Sequence, residues 1–378
     1  LGTVATASTD LEVHVEVLDP AFYRAVAANG SVGAGEAYID GLWRCDDLVS
    51  LVRLLVRNRT HLDGLEQGLA RVGSWLLQAW HSRRRNTLVG ATRNIAAHYD
   101  LGNDFFSLFL SPDLMYSSAM WESAQDTLAS ASFRKLDRFC QKLELRPTDH
   151  VCEIGSGWGG FAFHAATNYG CRVTTITISR QQHEFVSQQI QERGLGDRVQ
   201  VLLKDYREVT GRYDKVASIE MIEAVGHAYL ETYFATVSRL LSPGGRAVIQ
   251  AITIEDHRYA QALASVDYIK RFIFPGSFIP SIQTILTAKM RACDLTLSHL
   301  EDFGESYART LEEWRKRFLT RVPEAKALGF DDRFIRMWEY YLAYCEGGFR
   351  ERSIGVAQLV FDKPGLARAA GGPTVWLS

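Results

Sequence analysis

No stretch of the 378-residue chain approaches the run of about 18 apolar residues that a membrane-spanning helix needs. Any membrane contact is therefore expected to be peripheral. Paired cysteines are lacking as well. The six, at positions 45, 140, 152, 171, 293 and 345, form neither a C-x-x-C pair nor a metal-ligand spacing. That excludes a zinc ribbon or a dithiol redox centre, and no metal is expected. Thiols scattered through a chain this long point to a reducing compartment, so the expected setting is the cytoplasm. An excess of one charge is missing too. Lys and Arg number 42 against 44 Asp and Glu, a formal net charge of −2, which gives no global electrostatic case for nucleic acid.

What is present is apolar bulk. Hydrophobic residues make up 47% of the chain, enough for two domains or one enlarged domain. From Asp10 to about Gln78 apolar residues return every three or four positions, with Leu48, Leu51, Leu54 and Leu55 on one face. No strand-like alternation of useful length appears there, and the spacing predicts a small helical domain over residues 1–80. Residues 81–92 read as a linker with a local basic cluster at Arg83, Arg84 and Arg85. The cluster is either a solvated loop or a contact for anionic phospholipid headgroups, where each basic residue contributes about 1 kcal/mol. After residue 145 the rhythm becomes strand–helix–strand. VCEI (151–154), CRVTTITI (171–178), RVQVLL (198–203), YDKVASIE (213–220) and GRAVIQAITI (245–254) read as strands, with helices from Ser179 to Arg193 and from Ala228 to Leu241. Such alternation predicts a mostly parallel sheet covered on both faces.

EIGSGWGG (153–160) closes the first of these strands, and Gly155, Gly157 and Gly160 spell the dinucleotide fingerprint G-x-G-x-x-G. Two details argue against NAD. The acidic residue expected about 20 positions on is replaced by Thr177, Ile178 and Ser179. Glu153, just ahead of the glycines, would repel a pyrophosphate but can receive an ammonium group. Trp158 adds bulk where a phosphate wants close backbone access. The loop therefore favours a cationic nucleoside, S-adenosyl-L-methionine (SAM). Asp205 and Tyr206, after the third strand, are placed to meet the adenine amino group and ring, unless Asp205 is simply a solvated strand-end acid.

Several segments resemble the cyclopropane fatty acid synthases and mycolic acid methyltransferases over about residues 90–365. They include NIAAHYDLGNDFF (94–106), MYSSAMW (115–121), TISRQQ (177–182), IEMIEAVGHAYLETYF (219–234), IFPGSFIPSI (273–282) and EYYLAYCEGGFR (339–350). The resemblance implies a class I SAM-dependent methyltransferase, α/β and Rossmann-like, over residues 93–378, with a lipid-binding insertion around 255–300. It implies methyl transfer onto the double bond of an unsaturated phospholipid acyl chain, and in some relatives a homodimer. It carries cofactor-binding roles to Tyr116, Ser117, Glu153, Gly155, Gly157, Trp158, Gly159, Thr177, Ser179, Gln182, Asp205 and Tyr206, with His98 and Tyr99 in a lid. A bound bicarbonate is the implied base, held by Ser118, Glu223, Gln250, the backbone of Ile252, and Tyr307. Ser118 and Gln250 depart from the Cys and His that many members carry. Cys345 falls where the family's active-site cysteine is labelled, although direct methyl transfer needs no covalent intermediate and packing explains a cysteine equally well. Phe106, Tyr268, Phe272, Phe274 and Phe278 either line an acyl tunnel or belong to the core. The expected product is a cyclopropane ring; the alternative is a methyl- or methylene-branched chain.

Overall fold

A computed structural model describes residues 11–59 and 101–365. The basic linker, His98 and Tyr99 lie outside the described residues. The N-terminal part opens with two three-residue strands, β1 (Val15–Val17) and β2 (Trp43–Cys45), which pair antiparallel with Val15 opposite Cys45. They bracket α1 (Ala21–Ile39), which kinks where Gly30 takes φ 57°. Helix α2 (Leu48–Arg57) starts at Asp47, whose carboxylate accepts the amide hydrogens of Val49 and Ser50. The strands are a departure from the all-helical expectation, because three residues are too few for a period to show. The buried face of α2 is also rotated from the expected one. Leu48, Val49 and Val52 are buried, whereas Leu55 is 42% exposed.

The chain continues through α3 (Asn103–Ser107) and α4 (Leu128–Leu143) into β3 (His150–Ile154), α5 (Gly160–Asn168), β4 (Arg172–Thr177), α6 (Arg180–Glu192) and β5 (Val199–Leu203). It returns through β6 (Tyr213–Ile219), a single turn α7 (Ile222–Val225), α8 (Leu230–Leu240) and β7 (Leu241–Ile254). Then come α9 (Tyr259–Ala264), α10 (Ile282–Ala292), β8 (Thr296–Asp302), α11 (Gly304–Thr320), α12 (Val322–Ala327), α13 (Asp332–Arg350) and β9 (Ile354–Asp362). Seven strands form one sheet in the order β5-β4-β3-β6-β7-β9-β8. The first five are parallel, and β9 runs antiparallel between β7 and β8. The order reverses between β3 and β6, so the turns after these two strands face one crevice at the carboxyl edge.

Leu136, Phe139, Phe161 and Val186 cover one face of the sheet, and Tyr233, Phe234, Val237 and Ile285 the other. Of the insertion expected at 255–300, only the part before Ser281 leaves this layered fold. Helix α10 packs on α8, and β8 joins the sheet. The third apolar cluster lies beneath α11 and α13 and takes in the N-terminal elements. Gly35 admits the Tyr268 ring, and Gly347 admits Val52; a Cβ at either would lie 2.5–2.6 Å from its neighbour. Arg53 and Arg57 both bond Glu351 at the end of α13.

Candidate active site

A cavity of about 1120 Å3 opens at the crevice, and both glycine loop and N-terminal helices line it. The loop turns sharply because Gly155, Gly157 and Gly159 take φ of 95°, 48° and 88°. The amides of Gly155 and Ser156 both bond the Ile176 carbonyl, which pins the turn to β4. A Cβ on Gly157 would meet no atom within 4 Å, so the backbone here stands open to the cavity. Glu153 is 2% exposed, one of its carboxylate oxygens has no partner, and burial pushes its pKa up to about 8. An orphaned acidic oxygen on the wall of a binding cavity fits a ligand that brings a positive charge. Asp205 and Tyr206 line the same space, with Arg207 holding Asp205 through both carboxylate oxygens. Because a carboxylate offers about four acceptor sites, Asp205 keeps capacity for an adenine amino group.

Opposite the loop lies a residue that sequence reasoning missed. Glu220 follows β6 in a left-handed conformation, φ 48°, which costs a non-glycine residue about 1 kcal/mol or more. Three donors converge on its carboxylate. Oε1 accepts from the Ser118 amide at 2.9 Å and from Gln250 Nε2 at 2.7 Å, and Oε2 accepts from the Tyr307 hydroxyl at 2.7 Å. Burial pushes the Glu220 carboxyl up, and the three donors pull it back toward the ionised form. Glu223, one helical turn on, accepts from the Ile252 amide at 2.5 Å, while its other oxygen has no partner. Burial first, and then the charge of Glu220, push Glu223 up to about 8. Burial raises both neighbouring carboxyl groups, but only Glu220 has three donors that favour its ionised form, whereas Glu223 keeps its proton up to about 8. Beneath both, the fully buried Lys135 donates to Ser117 Oγ at 3.0 Å and exerts its charge on Glu220 and Glu153.

The family model described as mycolic acid cyclopropane synthetase matches residues 87–359. The chain belongs to that family. It is a SAM-dependent methyltransferase of the class I fold. It is 38% identical to the cyclopropane-fatty-acyl-phospholipid synthase of Escherichia coli, over 92% of this chain and 87% of that one. It is 37% identical to the tuberculostearic acid methyltransferase UfaA1 of Mycobacterium tuberculosis, over 91% and 82%. Among solved structures it is similar to the mycolic acid cyclopropane synthase CmaA1 complexed with SAH and CTAB. That match has a TM-score of 0.67 at 29% identity, covering 72% of this chain and 98% of that one.

Against this family background the expected ligands fall unevenly. Tyr116, Ser117, Trp158, Thr177 and Gln182 line the cavity, but Gly159 and Ser179 do not. Gly159 is the left-handed cap of α5, and Ser179 caps α6 by accepting the Gln182 amide hydrogen. Ser118 is engaged through its backbone, because its hydroxyl turns away to the Ala119 carbonyl. A cysteine at this position would leave the bond to Glu220 in place. A bicarbonate does not fit the donor set. The Ser118, Gln250 and Tyr307 donors already hold Glu220 and the Ile252 amide holds Glu223, so an added anion would meet the Glu220 carboxyl where it needs free donors. Cys345 is a wall residue whose thiol burial drives up and away from thiolate. Of the five tunnel aromatics, Phe274 and Phe278 reach the cavity. Phe106 packs beneath Trp158, and Tyr268 bonds the Met337 carbonyl in the core. No helix among the described residues is long and apolar enough to cross a membrane.

Proposed function

We propose that the enzyme adds the methyl group of SAM to the double bond of an unsaturated phospholipid acyl chain, closing a cyclopropane ring, with Glu220 as the base. The observation that carries this reading is the Glu220 carboxylate held by three donors inside the cavity. When bound, SAM supplies a methyl group already activated by its positive sulfur. Glu153, Gly155 and Gly157 hold that cation's methionine end, and Asp205 and Tyr206 its adenine. As the alkene electrons form the new carbon–carbon bond, the carbon–sulfur bond breaks and positive charge appears on the neighbouring acyl carbon. Glu220 then takes a proton from the transferred methyl, and the freed electron pair closes the ring.

The surroundings suit that task. Three hydrogen bonds favour the ionised carboxylate, the form a base needs. The protonated Glu223 adds no second negative charge to hold the cation back from reaction. Phe274, Phe278 and Tyr307 present aromatic surface to the cavity, which shields a cation from water and stabilises it through the ring face. Val26, Val32, Val52 and Val56 make an apolar wall from α1 and α2. On this reading the N-terminal elements house the acyl chain, and the enzyme works peripherally at the membrane surface.

A second reading is favoured by the relative named as a tuberculostearic acid methyltransferase. On this second reading a hydride shift precedes loss of the same methyl proton and leaves a methylene branch. Unsaturated phospholipid vesicles incubated with unlabelled SAM give the answer by proton NMR, high-field ring protons being expected. A mass gain of one methylene without those protons establishes the branched product. With trideuteromethyl SAM the product is expected to keep two deuterons, because one is lost to Glu220. Retention of all three overturns the role given to Glu220.

A further inference from the structure

Glu220 is one end of a buried hydrogen-bond chain that crosses the sheet. Gln250 of β7 donates to it through Nε2, and accepts through Oε1 from Gln358 Nε2 of β9 at 3.0 Å. Gln358 in turn accepts through Oε1 from Lys142 Nζ of α4 at 2.7 Å. The same ammonium pairs with Glu301 of β8, which Arg138 grips at 2.9 Å. Gln250 and Gln358 are register partners, as are Gln358 and Glu301. Lys142, Gln358 and Gln250 are all 0% exposed, and none of them lines the cavity.

The ends of this chain dictate its direction. An ammonium can only donate and a carboxylate can only accept, whereas each amide has one face of either kind. Lys142 therefore turns the Gln358 oxygen toward itself, which leaves the Gln358 hydrogens for the Gln250 oxygen. The Gln250 hydrogens are then left for Glu220. An interior otherwise built of Val, Ala, Ile and Leu has no packing need for a lysine, whose burial is costly unless it is paired. We infer that Lys142 and Gln358 are positioning residues, which fix the Gln250 amide so that its hydrogens hold and aim the Glu220 carboxylate. This inference rests on Glu220 being the base.

The charged and titratable groups around the chain are Lys135, Glu223, Tyr307 and Tyr341 at the Glu220 end, and Glu301, Arg138, His299 and Arg246 at the Lys142 end. Burial pulls Lys142 down to about 8, so it carries its charge at neutral pH.

Gln358→Glu is the discriminating variant. It keeps the shape and gives Lys142 a carboxylate, so packing and charge pairing survive. It has no hydrogen for Gln250, whose amide must turn over and present its oxygen to Glu220. In a steady-state assay with unsaturated phospholipid vesicles, kcat is expected to fall about tenfold or more. The acid limb of the kcat profile should move to higher pH, with both KM values little changed. In a Gln250→Leu background the same substitution should change kcat by less than about twofold, because the carrier of the effect is gone. A wild-type kcat and pH profile in Gln358→Glu, or an undiminished effect in that background, overturns the inference. If Gln358→Glu does not fold, Lys142→Gln serves. It keeps a donor but no longer dictates direction, and should lower kcat and shift the acid limb the same way; an unchanged profile is refuting. Glu220→Gln separates the two levels. Normal turnover there removes the base assignment and the chain with it, whereas an inactive Glu220→Gln beside an unaffected Gln358→Glu removes the chain alone.

Discussion

Glu220→Gln isolates proton removal from everything else the site does. The replacement has the same shape, and its oxygen can still take the hydrogens of the Ser118 amide and Gln250 Nε2. Its new amide group faces Tyr307, whose hydroxyl reverses from donor to acceptor. The Tyr307 hydroxyl hydrogen and the second amide hydrogen are then left to the cavity that both residues line, so folding stability should fall by about 1–3 kcal/mol. The affinity for SAM should hold as well, because Glu153 and the glycine turn are untouched. What disappears is basicity. A positioned general base contributes about 10²–10⁴ in rate, or roughly 2.7–5.4 kcal/mol of barrier. The assay is incorporation of labelled methyl from SAM into unsaturated phospholipid vesicles, with thermal melting and SAM calorimetry on the same sample. A folded variant that binds SAM normally but turns over about 10²-fold or more slowly is the expected result. Turnover within about threefold of wild type would refute the reasoning, since no general base is worth so little.

The other expectations follow from the same geometry. Ser118→Ala should leave kcat nearly unchanged because the donor is a backbone amide. Tyr307→Phe removes a bond to a charged group worth about 1.5–3 kcal/mol and should cost roughly tenfold or more in kcat. Glu153 is protonated up to about 8 in the free protein, and a cation favours its ionised form. Binding of SAM at pH 7 should therefore release a proton, read by calorimetry in two buffers of different ionisation enthalpy and abolished in Glu153→Gln. Glu153 and Glu223 keep protons in the fold that an unfolded carboxyl loses above about 4.5. The ligand-free fold should then lose stability as pH rises from about 4.5 through about 8, measured as a falling Tm. Cys345→Ala should retain turnover, because the thiol is part of the wall; loss of all turnover with SAM binding intact would show a chemical role for it.

The parallel sheet was legible because its strands are short apolar runs broken by glycine and capping residues. Ser179 announced α6 as a serine ahead of a polar helix, and the glycine loop announced the crevice. Glu220 was not legible, because an acid at a strand end reads as solvated, and only the fold shows three donors aimed at it. One signal was available. EMIE places two carboxylates a helical turn apart beyond the carboxyl end of β6, where open sheets build their sites. Lys142 was hidden for a related reason: a lysine on an amphipathic helix reads as surface, and its burial depends on Gln358, more than 200 residues later. The Ser118 departure looked chemical in the sequence, whereas the fold engages its backbone amide and turns its hydroxyl to the Ala119 carbonyl.

The docking of the first helices onto α13 sets an order on the chain's synthesis. Val49 and Val52 of α2 find their partner in Gly347, and Arg53 and Arg57 theirs in Glu351. At about 5–20 residues per second a ribosome needs tens of seconds to make the intervening chain. Through that interval the apolar side of α2 emerges without its cover, and the cavity lacks a wall. The parallel sheet can form around β3–β7 before then, and the nascent enzyme would hold a cofactor cradle before it holds a place for lipid. Helix α13, the last among the described residues, is on the proposed reading the latch that turns a nucleoside-binding fold into a closed vessel for a fatty chain.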